Sequence, residues 1–293
     1  MISSEEVTNQ RLSEFTDSNA EKSLTISVKR LDLIHPVAGG NKFYKLIANI
    51  QYAKTNGFKQ LITFGGPFSN HIAATAYVGH QNNIETIGVI RGEEPKIRSK
   101  TLRDAVKNGM KLQFISRKEY RNKNSHLWQS ALLKEHGNSY IIPEGGTNEL
   151  GVQGCEKILS TIDTHYDYVL VACGTGGTIS GIIRTMSPNQ EVIGIPVLNA
   201  LPSIKENIEK YTNEFDRKNW QLIAGHTFGG YAKSDENLDT FIHNFENKTG
   251  IQIEKVYTAK LFHALKKLII ANFFRENSKI LVIHTGGLQY IEP

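Results

Sequence analysis

YVLVACGTGGTISG, residues 168–181, decides the fold class. Its first six residues are apolar without the alternation of a half-exposed strand, which is the pattern of a strand covered on both faces. Gly174-Thr175-Gly176-Gly177-Thr178 then supplies a tight turn, and a helical pattern runs on to Thr185. A buried strand that turns through glycines into a helix is half of a parallel β-α-β unit. Outward from this segment the same alternation recurs. LITF at 61–64, TIGVI at 86–90, LQFI at 112–115, VIGIPV at 192–197 and ILVIH at 280–284 are further short apolar runs. Helical patterns over 43–56, 70–82, 99–108, 177–185, 237–249 and 260–277 lie between them, several ending at Gly or Asn, the residues that tolerate a left-handed C-terminal turn. The class expected is α/β, with open, twisted, mostly parallel sheets flanked by helices.

At about 150 residues per domain, the 293-residue chain holds one large or two ordinary domains. No repeat, low-complexity tract or Pro/Gly/Ser linker interrupts it, so two domains would be packed together around a shared cleft. With 39% hydrophobic residues the chain is neither disordered nor collagen-like, and no run approaches 18 apolar residues, so no membrane span is expected. The first residues, MISSEEVTNQ, carry acids where a signal peptide needs a basic and then an apolar run, which predicts the cytoplasm. Two cysteines, Cys155 and Cys173, make no disulfide framework and no C-x-x-C pair, so no metal site is expected. The net charge of +5 is concentrated between Arg91 and Lys123, where 11 basic residues face Glu93, Glu94, Asp104 and Glu119. No nucleic-acid motif or aromatic interleaving accompanies them, so they read as a solvated face of one lobe, away from the active-site motifs.

Open α/β sheets bind ligands beyond the carboxyl ends of their strands. Four glycine-rich or polar segments qualify: AGGNKFYKL at 38–46, GGPFSNH at 65–71, GTGGTISG at 174–181 and TGG at 285–287. Gly174, Thr175, Gly176, Gly177 and Thr178 would hold a phosphate through backbone amides and hydroxyls at a helix start. The segment is neither G-x-G-x-x-G nor a P-loop, which points to a small phosphorylated cofactor rather than a nucleotide. Lys42 follows two glycines that let a ligand approach, and a desolvated lysine serves as a covalent amine. Ser69-Asn70-His71 forms a strand-to-helix corner able to bind a carboxylate, with the Ser69 hydroxyl also able to relay a proton or simply to cap the helix. Tyr231, in FGGYAK, and Tyr257, in VYTAK, stand in polar or glycine-rich surroundings.

In their order along the chain, KRLDL at 29–33, GGNKFYKL at 39–46, GGPFSNH at 65–71, PEGGTNELGVQG at 143–154, CGTGGT at 173–178, FGGYAK at 228–233, VYTAK at 256–260 and HTGG at 284–287 resemble the tryptophan-synthase-β-like, fold type II pyridoxal-phosphate enzymes. Within them the set is similar to the 1-aminocyclopropane-1-carboxylate deaminase and D-cysteine desulfhydrase family. The resemblance implies two lobes, residues 1–52 with 156–293 and an inserted 53–155, and a homodimer. It implies pyridoxal 5'-phosphate as cofactor, carried covalently by Lys42, with residues 174–178 on its phosphate, Asn70 on its 3'-oxygen and Thr285 at its ring nitrogen. Ser69, Asn70 and His71 would take the carboxylate of a small amino-acid substrate, with Tyr231, Tyr257 and Thr258 around the rest of it. Ring-opening relatives resemble VYEGK where this chain has VYTAK, so Thr258 points to D-cysteine desulfhydrase-like elimination, with cyclopropane deamination as the alternative. Pro67-Phe68, where Ile-Gln is usual, and the shortened stretch between Asn199 and Tyr231 depart from the family pattern. A third possibility is a cofactor-retaining binding protein with little turnover.

Overall fold

A computed structural model describes residues 7–13, 18–215 and 219–288. Residues 1–6 of the acid-bearing N-terminus and 216–218 of the shortened stretch lie outside the described residues. The chain opens with β1 (Asn9–Leu12), α1 (Asn19–Lys22), β2 (Thr25–Arg30) and α2 (Asn41–Thr55). Next come β3 (Gln60–Gly65), α3 (Asn70–Gln81), β4 (Glu85–Arg91), α4 (Lys100–Lys107), β5 (Lys111–Ile115), α5 (Arg117–Tyr120), α6 (His126–His136), β6 (Ser139–Ile142) and α7 (Glu149–Cys155). The remainder is β7 (Tyr168–Cys173), α8 (Gly177–Thr185), β8 (Glu191–Pro196), α9 (Leu201–Thr212), β9 (Trp220–Leu222), α10 (Glu236–Thr249), α11 (Thr258–Ile270) and β10 (Lys279–His284).

The strands form two sheets, ordered β1-β2-β10-β7-β8-β9 and β5-β4-β3-β6. Every pairing is parallel except β1 with β2. Strand β7 shows why its sequence lacks alternation. Tyr168, Leu170 and Ala172 pack with Phe245, Phe262 and Leu265 of α10 and α11, while Val169, Val171 and Cys173 pack with Ile179, Ile182 and Ile204 of α8 and α9. Both faces are thereby covered, and all six side chains are buried. The four-stranded sheet is built from one continuous stretch of chain. Helix α2 joins the two layers: Phe43 and Tyr44 bury against the six-stranded sheet, whereas Leu46, Ile50 and Ala53 bury against Leu61 and Ala74 beside the four-stranded one.

Three elements differ from the sequence expectation for identifiable reasons. Helix α11 stops at Ile270 rather than near residue 277, because Asn272 takes a left-handed φ of 51°. The Asn272 N–H then donates to Ile269 O and the Phe273 N–H to Leu268 O, both at 3.0 Å, a Schellman closure. Strand β2 was hidden by inward-facing Ser27 and Lys29, the latter satisfied by Asp163 at 2.8 Å. Helix α9 starts with Leu-Pro, a favourable first turn that its polar composition masked.

The start of α2 is pressed onto the end of β10. A Cβ on Gly40 would stand 2.0 Å from Thr285 O, and the Asn41 N–H donates to that same carbonyl at 3.2 Å. Gly40, with φ 65°, is therefore obligatory, and Lys42 is held within one turn of the carboxyl end of β10.

Candidate active site

The carboxyl ends of the parallel strands in both sheets open into one cavity of about 910 Å3. It is lined by residues that follow β3 (Gly66, Ser69, Asn70), β7 (Gly174, Thr175, Gly176), β8 (Leu198, Asn199) and β10 (Thr285), the placement expected of a ligand site in open α/β sheets. A larger groove, about 1040 Å3, runs over α2, α7 and α9. Its Lys29 and Arg184 are already paired, with Asp163 and with Glu149 and Glu156, and it reaches neither the glycine loop nor Lys42. The chemistry belongs to the smaller cavity.

Lys42 lies in the first turn of α2, and its Nζ donates to Asn41 Oδ1 at 3.1 Å. Burial, and secondarily the neighbouring Lys45 ammonium, push its amine down to about 7. A large share of this lysine is therefore uncharged at neutral pH, the form that attacks a carbonyl. The Asn41 amide in turn donates to Thr178 Oγ1 at 2.8 Å, which ties the start of α2 to the start of α8.

At that start, Gly176 adopts φ 88° and α8 begins at Gly177 with its first N–H groups directed out of the helix. Lys45, one turn after Lys42 and only 2% exposed, brings its ammonium to the same place. Its Nζ donates to Gly145 O at 3.0 Å and Thr147 Oγ1 at 3.2 Å, and would lie 3.0 Å from a Cβ on Gly177. Thr147 and Thr175 share a hydroxyl hydrogen bond of 2.5 Å beside it. Amides, two hydroxyls and a buried cation make an anion cradle, and the burial that pushes Lys45 down is what a phosphate dianion would relieve. The residues present thus fit a phosphorylated aldehyde cofactor: an amine poised to take the aldehyde and a cradle for the phosphate in one cavity. The sequence reading assigned the phosphate to amides and hydroxyls alone. Lys45 was missed, although its i+3 spacing puts it on the face of Lys42.

The remaining expected residues divide. Ser69, Asn70, Tyr231, Tyr257 and Thr285 line the cavity. Ser69 also accepts the Ile72 N–H at 3.3 Å, so it caps α3 as well as facing the ligand space. Asn70 sits so close to Gly287 that a Cβ there would meet its Nδ2 at 2.4 Å. His71 is buried, with Nε2 2.7 Å from a Thr63 hydroxyl that itself donates to Ile142 O. The ring nitrogen is therefore the donor, Nδ1 is unprotonated and unpartnered, and His71 lines the cavity beside Ser69 and Asn70. Burial raises both Tyr231 and Tyr257, which remain protonated donors at neutral pH.

Thr258 is a correction. It is fully buried and does not line the cavity; its Oγ1 accepts the Glu254 N–H at 2.8 Å and lies 3.3 Å from Glu254 Oε1. The Glu254 carboxylate also accepts the N–H groups of Tyr257 and Thr258, each at 2.7 Å. Thr258 therefore locks the start of α11, which aims Tyr257, and its side chain faces Glu254 rather than the cavity. Phe68 is likewise absent from the lining, so the Pro67-Phe68 departure falls on the rim. The basic segment is a second correction: Arg91 and Lys123 do line the cavity.

Lys260 closes the VYTAK motif, but the sequence assigns it no role. It is fully buried and donates to the carbonyls of Thr227 at 2.7 Å and Gly230 at 2.8 Å. Those carbonyls belong to the loop that carries Tyr231, in which Phe228 and Ala232 hold left-handed φ values of 49° and 54°. The clamp over-determines a strained loop. Lys260→Met is expected to cost about 2–3 kcal/mol of stability, from carbonyls left without donors, and to raise KM by more than it lowers kcat. Urea unfolding and steady-state kinetics check both.

A family model described as pyridoxal-phosphate dependent enzyme matches residues 6–286. A Thermotoga maritima protein that carries the provisional name 1-aminocyclopropane-1-carboxylate deaminase is 29% identical over 283 residues, covering 90% of this chain and 88% of its own. The Arabidopsis thaliana mitochondrial protein named bifunctional D-cysteine desulfhydrase/1-aminocyclopropane-1-carboxylate deaminase is 28% identical over 291 residues, 89% of this chain and 72% of that one. The crystal structure of a 1-aminocyclopropane-1-carboxylate deaminase homologue superposes with a TM-score of 0.84 at 26% identity, covering 99% of this chain and 91% of that one.

Proposed function

The chain belongs to the family of pyridoxal-phosphate dependent enzymes, and from that premise we propose that it is a lyase of the D-cysteine desulfhydrase kind. It would remove the β-substituent of a small D-amino acid to leave a 2-oxo acid, ammonia and, from cysteine, sulfide. The observation that carries this reading is the Lys42 amine, held at about 7 in one cavity with the cradle of Lys45 and the α8 start. Pyridoxal phosphate bound there supplies the electron sink for negative charge at the substrate Cα.

The chain's own residues supply the rest. Lys42 attaches the cofactor and, once displaced, is the uncharged amine that takes the Cα proton. The main-chain amides of Asn70 and His71 would bind the substrate carboxylate together with the Ser69 hydroxyl, since the Ser69 N–H already donates to Gly66 O at 3.1 Å, and the Asn70 side chain would meet the 3'-oxygen of the cofactor. Tyr231 and Tyr257 hold protons for the departing group. Thr285 would present a neutral hydroxyl to the ring nitrogen, and the single carboxylate lining the cavity among the described residues is Glu144. A ring nitrogen without an acidic partner limits charge delocalisation, which favours β-elimination over transamination. The lobes of this reading are residues 1–52 with 156–293 and residues 53–155, and the cavity lies between their sheets.

The test is release of sulfide, 2-oxo acid and ammonia from D-cysteine, L-cysteine, D-serine and 1-aminocyclopropane-1-carboxylate. Sulfide from D-cysteine at more than about tenfold the rate from L-cysteine is expected. Turnover of the cyclopropane amino acid alone would instead establish the deaminase reading, which the names of the relatives favour.

A further inference from the structure

We infer that Arg91 is a specificity-determining residue that receives an oxyanion on the β-substituent of the substrate, so that the preferred amino acid carries a second negative charge. The inference rests on the lyase reading above and names its substrate class. Among the described residues the cavity is lined by five basic side chains, the largely uncharged Lys42 together with Lys45, Arg91, Lys123 and Lys210, against the one carboxylate of Glu144. A single phosphate does not account for that excess.

Most of the cations have identifiable work. Lys42 is the covalent amine and Lys45 belongs to the phosphate cradle. Lys123 is paired with Glu144 at 3.3 Å, and the same carboxylate accepts the Tyr120 hydroxyl at 2.8 Å. Lys210 lies 5.2 Å from the centre of the Tyr211 ring, near the α9 side of the cavity. Arg91 is paired with Ile115 through the main chain of the β4–β5 ladder, but its side chain makes no hydrogen bond or ion pair with any described residue. Its guanidinium is instead held between two rings, 5.8 Å from the centre of Tyr120 and 5.6 Å from that of Tyr231. Ring faces hold the plane of a guanidinium while leaving the N–H groups at its edge free.

Position gives the charge its meaning. A Cβ on Gly66 would stand 3.6 Å from Arg91 Nη2 and 3.7 Å from Tyr231. The guanidinium therefore lies along the 65–71 corner, beside the tyrosine that faces the departing group. A planar fork of donors there matches the paired oxygens of a carboxylate, sulfonate or phosphate. With O-phosphoserine the balance is complete: the Cα proton is removed, the Cβ–O bond breaks, and its electron pair leaves with the phosphate that Arg91 holds. Water then releases pyruvate and ammonia, and no oxidant or reductant is consumed.

The test uses the cofactor-loaded wild-type, R91Q and R91K enzymes, titrated with both enantiomers of O-phosphoserine and of serine. The change in the visible absorption of the cofactor reports binding, and phosphate and pyruvate release report turnover. In the wild type, one phosphoserine enantiomer is expected to bind at least about tenfold more tightly than serine of the same hand. R91Q should cut that preference by about tenfold or more, and R91K should restore part of it through charge without the fork. Three results overturn the inference alone: no phosphoserine preference in the wild type, a preference undiminished in R91Q, or equal losses for serine and phosphoserine, which would put the α-carboxylate on Arg91. A wild type with no visible cofactor band overturns the lyase reading and this inference with it.

Discussion

Replacing Lys42 with alanine is expected to abolish the visible absorption band of the protein in added pyridoxal phosphate and to lower turnover by about 1000-fold or more. In the proposed mechanism the amine is both the covalent attachment and the base at Cα, and losses of that size follow when a single group serves two steps. The same variant has a second signature that needs no substrate. Burial pushes the Lys42 amine from the ordinary lysine value of 10.5 down to about 7 in the folded chain. Below about 7 both the folded and unfolded states hold the proton; between there and about 10 the unfolded state holds more. Stability of the cofactor-free protein therefore rises with pH across that window, by at most about 1.4 kcal/mol per unit for one group. Lys42→Ala should flatten that part of the slope, leaving the contributions of Lys45, which burial pushes down, and of Lys260, which it pushes down to about 8. Urea unfolding at pH 7 and pH 9, wild type against variant, measures the difference. An identical slope in both would mean that the Lys42 amine is solvated and protonated, and the mechanism would lose its base.

What the sequence made legible was what neighbouring residues decide. The run YVLVAC turning through Gly174–Gly177 into a helix, and the two glycines before Lys42, are local patterns whose physics is fixed by burial on both sheet faces and by the left-handed φ angles of Gly176 and Gly40. Thr258 was misread for an equally local reason. It follows Tyr257, but successive residues at a helix start point about 100° apart, so Tyr257 faces the cavity while Thr258 turns inward onto Glu254. Lys260 and Arg91 were hidden because their partners are distant in sequence. Lys260 reaches carbonyls of residues 227 and 230, and Arg91 meets Tyr231 only because the carboxyl ends of both sheets converge. A lysine or arginine in a mixed-charge segment looks solvated until the topology supplies what it faces.

Lys45 carries the sharpest separable prediction. Lys45→Met should weaken pyridoxal phosphate binding by on the order of 100-fold, because removing one member of a buried charge pair leaves the other desolvated and unpaired, at a cost of about 3–5 kcal/mol. Stability of the cofactor-free protein should move little or increase. In that state the Lys45 ammonium is itself the buried charge without a counterion, held by one carbonyl and one hydroxyl, and burial already pushes its pKa down. An isosteric apolar side chain relieves this penalty and loses only those two contacts, of which the Thr147 hydroxyl keeps Thr175 as a partner; Lys260, by contrast, holds two carbonyls of a loop with left-handed residues. Titration of the cofactor-free protein by absorbance, paired with urea unfolding of the same samples, therefore distinguishes a phosphate ligand from a structural lysine. Affinity lost with stability kept identifies the ligand. Stability lost in proportion to affinity would make Lys45 a brace between α2 and the 145–147 turn, and the phosphate would then depend on the amides and hydroxyls of residues 174–178.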